Sequence, residues 1–264
     1  MSALGIAPGL AGVEDQLIQW MAAMIRPGAA MVAAPLFGAR MVPVQVRLIL
    51  ALAIGMLAAP NVASALPPQG MASIAGLALV AGEVVAGAAI GFALQIGYAA
   101  ALVAGELIAN VMGLGFAAMT DPASGHAAPV IGTWLSTLAT FLLLASNGHL
   151  MLIARVADSY AAWPPGGPPP GAGVMTALVG FGGHVFAAGV TIALPVAAAL
   201  ILIQLAMAVL TRAAPQLNLF AVGFPVTIMA GLALLAMALP VMAGAIQASI
   251  DAGLAAGAAL GALD

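Results

Sequence analysis

MASIAGLALVAGEVVAGAAIGFALQIGYAAALVAGELIANVMGLGFAAM, residues 71–119, is apolar almost throughout and contains no proline and no basic residue. Continuous Ala, Leu, Val, Ile and Gly reads as helix, not as the roughly ten-residue alternating strands of an outer-membrane barrel. The run is far longer than one crossing of a hydrocarbon core about 30 Å thick needs. It also carries Glu83 and Glu106. The stretch therefore predicts a hairpin that turns near Gly97 or Gly105.

The rest of the chain has the same character. Of its 264 residues, 64% are hydrophobic and 5% charged, with no lysine. Eight acids and five basic residues are too few to cover a water-soluble domain of this size. Composition thus defines a membrane protein, with length for roughly six to eight hydrophobic helices. The net charge of −3 is spread thinly, and the absence of a basic cluster argues against nucleic acid as a partner. Without cysteine there is no disulfide and no thiolate chemistry. The N-terminus lacks the basic start of a cleaved signal peptide, so the first hydrophobic helix is expected to be retained.

Seven apolar blocks follow: Leu17 to Phe37, Val44 to Val62, Met71 to Tyr98, Ala99 to Met119, Pro129 to Tyr160, Val174 to Thr211 and Leu219 to Ile250. Prolines separate most of them, removing a helix donor and biasing the preceding residue to extended backbone. Trp163 to Gly173, WPPGGPPPGAG, reads as an exposed linker. The organisation expected is N-terminal helical hairpins over 1–160, a Pro/Gly-rich loop over 161–173 and C-terminal helical hairpins over 174–264. As one helix, Val174 to Thr211 would be about 57 Å long, so a kink is expected, with Pro195 the obvious place. The fold class is all-α: polytopic hydrophobic helical hairpins with kinked helices, assembling with partner subunits.

The polar residues of the long run are arranged. Glu83, Gly87, Gly91 and Gln95 recur every four residues and share one helix face. Gly87 and Gly91 have the GxxxG spacing that lets another backbone approach closely. Glu106, Asn110 and Gly113 repeat the pattern. Such faces suit helix contacts or a wet lumen, and glycines this frequent also suit plain packing. Ionisable groups in membrane segments usually face a cavity or a partner charge. For Glu83 and Glu106 an interior role is expected, between subunits or along a lumen; an arginine of this or another subunit is an equally open partner. Asp121-Pro122 reads as an N-cap with proline in the first turn of the next helix. Before it, MGLGFAAMT, residues 112–120, is apolar but softened by glycine.

Catalysis has no candidate. His126, His149 and His184 stand in no ligand spacing, and no metal or cofactor is expected. His149 follows Ser146-Asn147-Gly148, a turn signal. No nucleophile elbow, P-loop or dinucleotide fingerprint is present.

Several segments, taken in order, resemble the FliR family of flagellar export-apparatus membrane proteins and its virulence type III secretion counterparts. They are RPGAAMVAAPLFGARMVPVQVRLILALAIG from Arg26, GEVVAGAAIGFALQI from Gly82, AGELIANVMGLGFAAMTDPASG from Ala104, LLLASNGHLMLIARVADSY from Leu142 and RAAPQLNLFAVGFPVTIMAGL from Arg212. The resemblance spans roughly Glu14 to Ala243. It implies a non-enzymatic core export-gate subunit, part of the channel for unfolded flagellar proteins, in the bacterial inner membrane at the flagellar basal body. Implied partners are FliP-like and FliQ-like subunits, an FlhB-like subunit, export substrates in transit and membrane lipid. It also implies that the loop over 110–122 plugs the channel, which carries over to Met112, Gly113, Leu114, Gly115, Phe116 and Met119. The alternative reading, from another class, is a secondary transporter with an intramembrane carboxylate ion site at Glu83 and Glu106; no inverted repeat across the proline linker supports it.

Overall fold

The computed structural model describes residues 11–39, 41–115, 130–167, 171–213 and 223–260. Among these there is no strand. The helices are α1 (Ala11–Ala23), α2 (Ile25–Ala33), α3 (Val44–Ala63), α4 (Ile74–Val111), α5 (Val130–Ala145), α6 (Gly148–Ala162), α7 (Ala172–Phe181), α8 (His184–Ala213) and α9 (Phe224–Ala259). Four described stretches are long and apolar enough to cross a membrane: Val44–Ala63, Ile74–Val111, Ala172–Ala213 and Phe224–Ala259. A fifth exists if α5 and α6 form one broken span. The protein is an all-α, polytopic membrane protein.

The expected hairpin near Gly97 or Gly105 does not form, because α4 continues through both over 38 residues, about 57 Å at 1.5 Å per residue. Glycine weakens a helix interior by only about 1 kcal/mol relative to alanine, and no proline interrupts the run. Ser73 starts the helix by accepting the N–H of Gly76 at 3.1 Å, the usual service of an N-cap hydroxyl. The run from Val174 to Thr211 is interrupted at Gly182-Gly183, and Pro195 lies inside α8. A membrane helix tolerates proline where its surroundings serve the freed carbonyl, whereas paired glycines lose the most conformational freedom on becoming helical. Between α5 and α6 the chain turns at Asn147, which takes the left-handed conformation with φ 58°.

The chain forms two compact units. The first comprises Met1–Gln95, Asn147–Phe181 and Gly253–Asp264. Its helices meet through small residues. A side chain at Gly87 would strike the carbonyl oxygen of Arg26, and one at Gly91 that of Ala30, so the GxxxG face of α4 lies against the backbone of α2. Gly55 of α3 likewise leaves room for the main chain at Ala23 and Met24. Ala22, Ala23, Ala58, Ala59, Val62 and Tyr160 fill one part of the core, and Met31, Ala51 and Ile54 another. Pro27 has no N–H, which strips the Ala23 carbonyl of its helical donor. The Tyr160 hydroxyl of α6 supplies the replacement at 3.1 Å.

The second unit comprises Ile96–Ser146 and Gly182–Ala252. A side chain at Gly105 would meet the Gly132 backbone of α5 within 2.5–2.7 Å of its N and the preceding carbonyl carbon. Gly189 of α8 accommodates Val103, and Gly231 of α9 accommodates Met112. The few polar side chains there serve backbone: the Tyr98 hydroxyl donates to Ser136 O at 2.8 Å and lies 2.8 Å from Thr140 Oγ1. Ser249 donates to Gly97 O at 2.8 Å, and His184 Nε2 lies 3.1 Å from that same hydroxyl.

Replacing Gly87 by valine is expected to remove the chain from the membrane fraction. The clash is with main chain, which cannot rotate away, and overpacking alone costs about 1–3 kcal/mol. Quantifying the full-length chain in membranes beside a control whose added side chain meets open space, Gly82→Val, checks this; equal abundance of the two variants contradicts the packing.

Candidate functional site

In the first unit the polar residues converge on Arg26. Its side chain is buried, with 1% of its surface exposed. Nε donates to Glu83 Oε2 at 2.9 Å and Nη2 to Glu83 Oε1 at 2.7 Å, the bidentate fork that guanidinium and carboxylate geometry favours. Nη1 donates to Ser159 Oγ at 3.1 Å and Nη2 also to the Trp163 carbonyl at 2.8 Å. The guanidinium carbon stands 4.0 Å from the centroid of the Tyr160 ring, in range for a cation–π contact. Glu83 therefore has its counter-charge within its own chain. The cluster joins α2, α4, α6 and the start of the proline-rich linker. Removing one member strands a buried charge, which costs about 3–5 kcal/mol, whereas replacing both by apolar groups is often tolerated.

In the second unit α4 ends at Val111, and its last turn is closed by a Schellman arrangement. Leu114 N–H donates to Ala109 O at 3.0 Å and Gly113 N–H to Asn110 O at 3.1 Å, the two bonds that define this terminus. Gly113 occupies the left-handed position between them with φ 80°, which other L-residues resist by about 1–2 kcal/mol. Met112 is buried, with its thioether against Gly231. Leu114 is half-buried and Gly115 exposed. Phe116 and Met119 lie outside the described residues, as do Asp121, Pro122 and His126.

The other polar residues singled out in the sequence separate. Gln95 is half-buried one turn beyond Gly91, and Asn110 is exposed beside Gly115. Glu106 is half-buried on α4, yet its Oε1 is fully enclosed next to Gly132 and has no hydrogen-bond partner among the described residues. His149 sits in the first turn of α6. Among the described residues no group of acids and histidines could hold a metal ion. Sequence reasoning left Ser159, Tyr160, Gln204 and Thr227 unremarked. Gln204 did leave a signal, as the lone amide within ILIQLAMAVL, residues 201–210.

Fold and polar clusters together define a polytopic helical membrane protein in which a buried Arg26–Glu83 pair holds helices together. Residues 17–253 match the bacterial export proteins, family 1. The chain is 36% identical over 234 residues to the flagellar biosynthetic protein FliR of Escherichia coli (strain K12), covering 87% of this chain and 89% of that one. To the protein of the same name from Pectobacterium carotovorum subsp. carotovorum it is 35% identical over 230 residues, with coverages of 86% and 87%. The Caulobacter vibrioides protein of that name is 30% identical over 223 residues, with coverages of 83% and 88%. This chain belongs to the bacterial export proteins, family 1, and is similar to these FliR proteins.

Arg26→Met and Glu83→Leu are each expected to lower stability by about 3–5 kcal/mol, and the double variant to recover most of it. Thermal unfolding of the four proteins in one detergent measures the coupling. Strictly additive losses would show that the pair does not act as a unit.

Proposed function

We propose that this chain is a core export-gate subunit of the flagellar type III protein secretion apparatus and forms part of the channel through which unfolded flagellar proteins pass. The observation that carries the reading is the match of FliR relatives along more than four-fifths of the chain. The apolar helices place the protein in a membrane. In this reading the membrane is the bacterial inner membrane and the site the flagellar basal body. FliP-like, FliQ-like and FlhB-like subunits surround it. It contributes no catalytic step; other parts of the apparatus drive the substrate.

The gate in this reading is an apolar seal built from the chain that leaves α4. Met112 holds the base, Gly113 and Gly115 give the backbone its freedom, and Leu114, Phe116 and Met119 supply the side chains that exclude water. A narrow apolar constriction dewets and so blocks ions without a fitted lid. Methionine suits a seal that must close around varied shapes, because its unbranched thioether repacks easily. Glu106 faces a partner subunit in this reading: the residue is only half-buried on α4, and a carboxylate left without a counter-charge in an apolar setting is costly.

Deleting Leu114 to Phe116, which spares Met112 and Gly113, is expected to let ions and small solutes leak through assembled gates. Cells carrying the deletion that are as tight as wild type, with the chain present in membranes, contradict the seal. Glu106→Leu is expected to reduce recovery of FliP- and FliQ-like subunits with this chain several-fold while its own abundance holds. Undiminished co-purification assigns the carboxylate to some other use.

A further inference from the structure

The carbonyls at the end of α4 need donors, and in an apolar environment there is no water to supply them. Ile108 O accepts from Met112 N–H at 2.8 Å, Ala109 O from Leu114 and Asn110 O from Gly113. Two carbonyls then remain, Val111 and Met112, at the last helical residue and the one after it. Side chains from two other helices of the same unit reach them. The Gln204 amide of α8 donates to Val111 O. The Thr227 hydroxyl of α9, shared with Phe224 O of its own helix at 2.9 Å, reaches Met112 O at 3.4 Å.

The Met112 side chain adds a third hold. Its Sδ and Cε fill the space left by Gly231, one turn beyond Thr227 and hence on the same face of α9. Main chain and side chain of Met112 are thus fastened to one face of α9, while Gln204 fastens the preceding residue to α8. Immediately afterwards Gly113 turns the chain into the left-handed conformation.

We infer that Gln204 and Thr227 are positioning residues of the export gate, a clamp on the main chain at Val111 and Met112 that sets where the segment from Gly113 onward begins. This rests on reading Leu114 and its successors as the seal. Neither residue touches substrate. Each fixes the seal's point of departure without contributing to the sealing surface, so losing either loosens the closed position while leaving the sealing side chains in place.

The test uses the full chain in cells with an otherwise complete apparatus, reading ion and small-solute leak, membrane abundance and export of a flagellar substrate in parallel. Gln204→Leu and Thr227→Val are expected to leak about tenfold above wild type, the change produced by about 1.4 kcal/mol, which is the scale of a carbonyl left bare. Thr227→Ser, which keeps the hydroxyl, is expected to stay tight, and abundance and export are expected to persist. If Gln204→Leu fails to accumulate, Thr227→Val read against Thr227→Ser decides. Tight Gln204→Leu and Thr227→Val alongside a leaking Leu114–Phe116 deletion overturns the clamp and spares the seal, as does equal leak from Thr227→Val and Thr227→Ser. A tight deletion overturns both.

Discussion

A carbonyl oxygen without a donor is the constraint on which this structure turns. In water such an oxygen is solvated; in a chain that is 64% hydrophobic each costs several kcal/mol unless the protein serves it. Some of the scarce polar side chains are used for that purpose. Tyr160 replaces the donor that Pro27 withholds from Ala23. The Ser249 and Tyr98 hydroxyls find their own acceptors in the same way, on carbonyls of regular helix at Gly97 and Ser136. At the end of α4 the same need recruits Gln204 and Thr227. Backbone departures from regular helix therefore occur where another helix can reach them.

The second constraint is distance. Reaching a neighbour's main chain with a hydroxyl or an amide requires helices to come close, and glycine permits it. Gly87 and Gly91 bring α2 onto α4, and that approach sets Arg26 within reach of Glu83. Close packing and ion pair are thus one device: without the glycines the guanidinium would stand off, and a buried unpaired carboxylate would be left behind. Tyr160 joins both, with its hydroxyl on Ala23 O and its ring beside the guanidinium.

Helix class and most boundaries were legible because they are local. Ser73, Pro43 and Asn147 mark starts by chemistry that needs no knowledge of the rest of the fold. Glycine was the misleading letter. Gly97 and Gly105 read as places to turn, yet both lie in helix interior, and Gly105 is explained by Gly132, twenty-seven positions away. Gly113 looks the same on paper and does end a helix. Nothing within a few residues tells a glycine that admits a neighbour from one that takes a positive φ. The partner of Glu83 was undecidable for the same reason, since Arg26 is separated from it by 57 positions.

This non-local use of polar groups bears on how a gate is built from so little. A side chain that seals must be free to repack, so it cannot also be tied down by hydrogen bonds. A chain that seals must nevertheless return to one place. Holding the backbone at Val111 and Met112 meets both demands, because main-chain acceptors impose nothing on the side chains that follow. Gly113 then separates the two regimes: before it every carbonyl in the last turn is served, and beyond it the residues are chosen for softness. A carboxylate such as Glu106, about two turns earlier on α4, stands on the fixed side of that divide. It is thus suited to register this subunit against a neighbour, and unsuited to move with the seal.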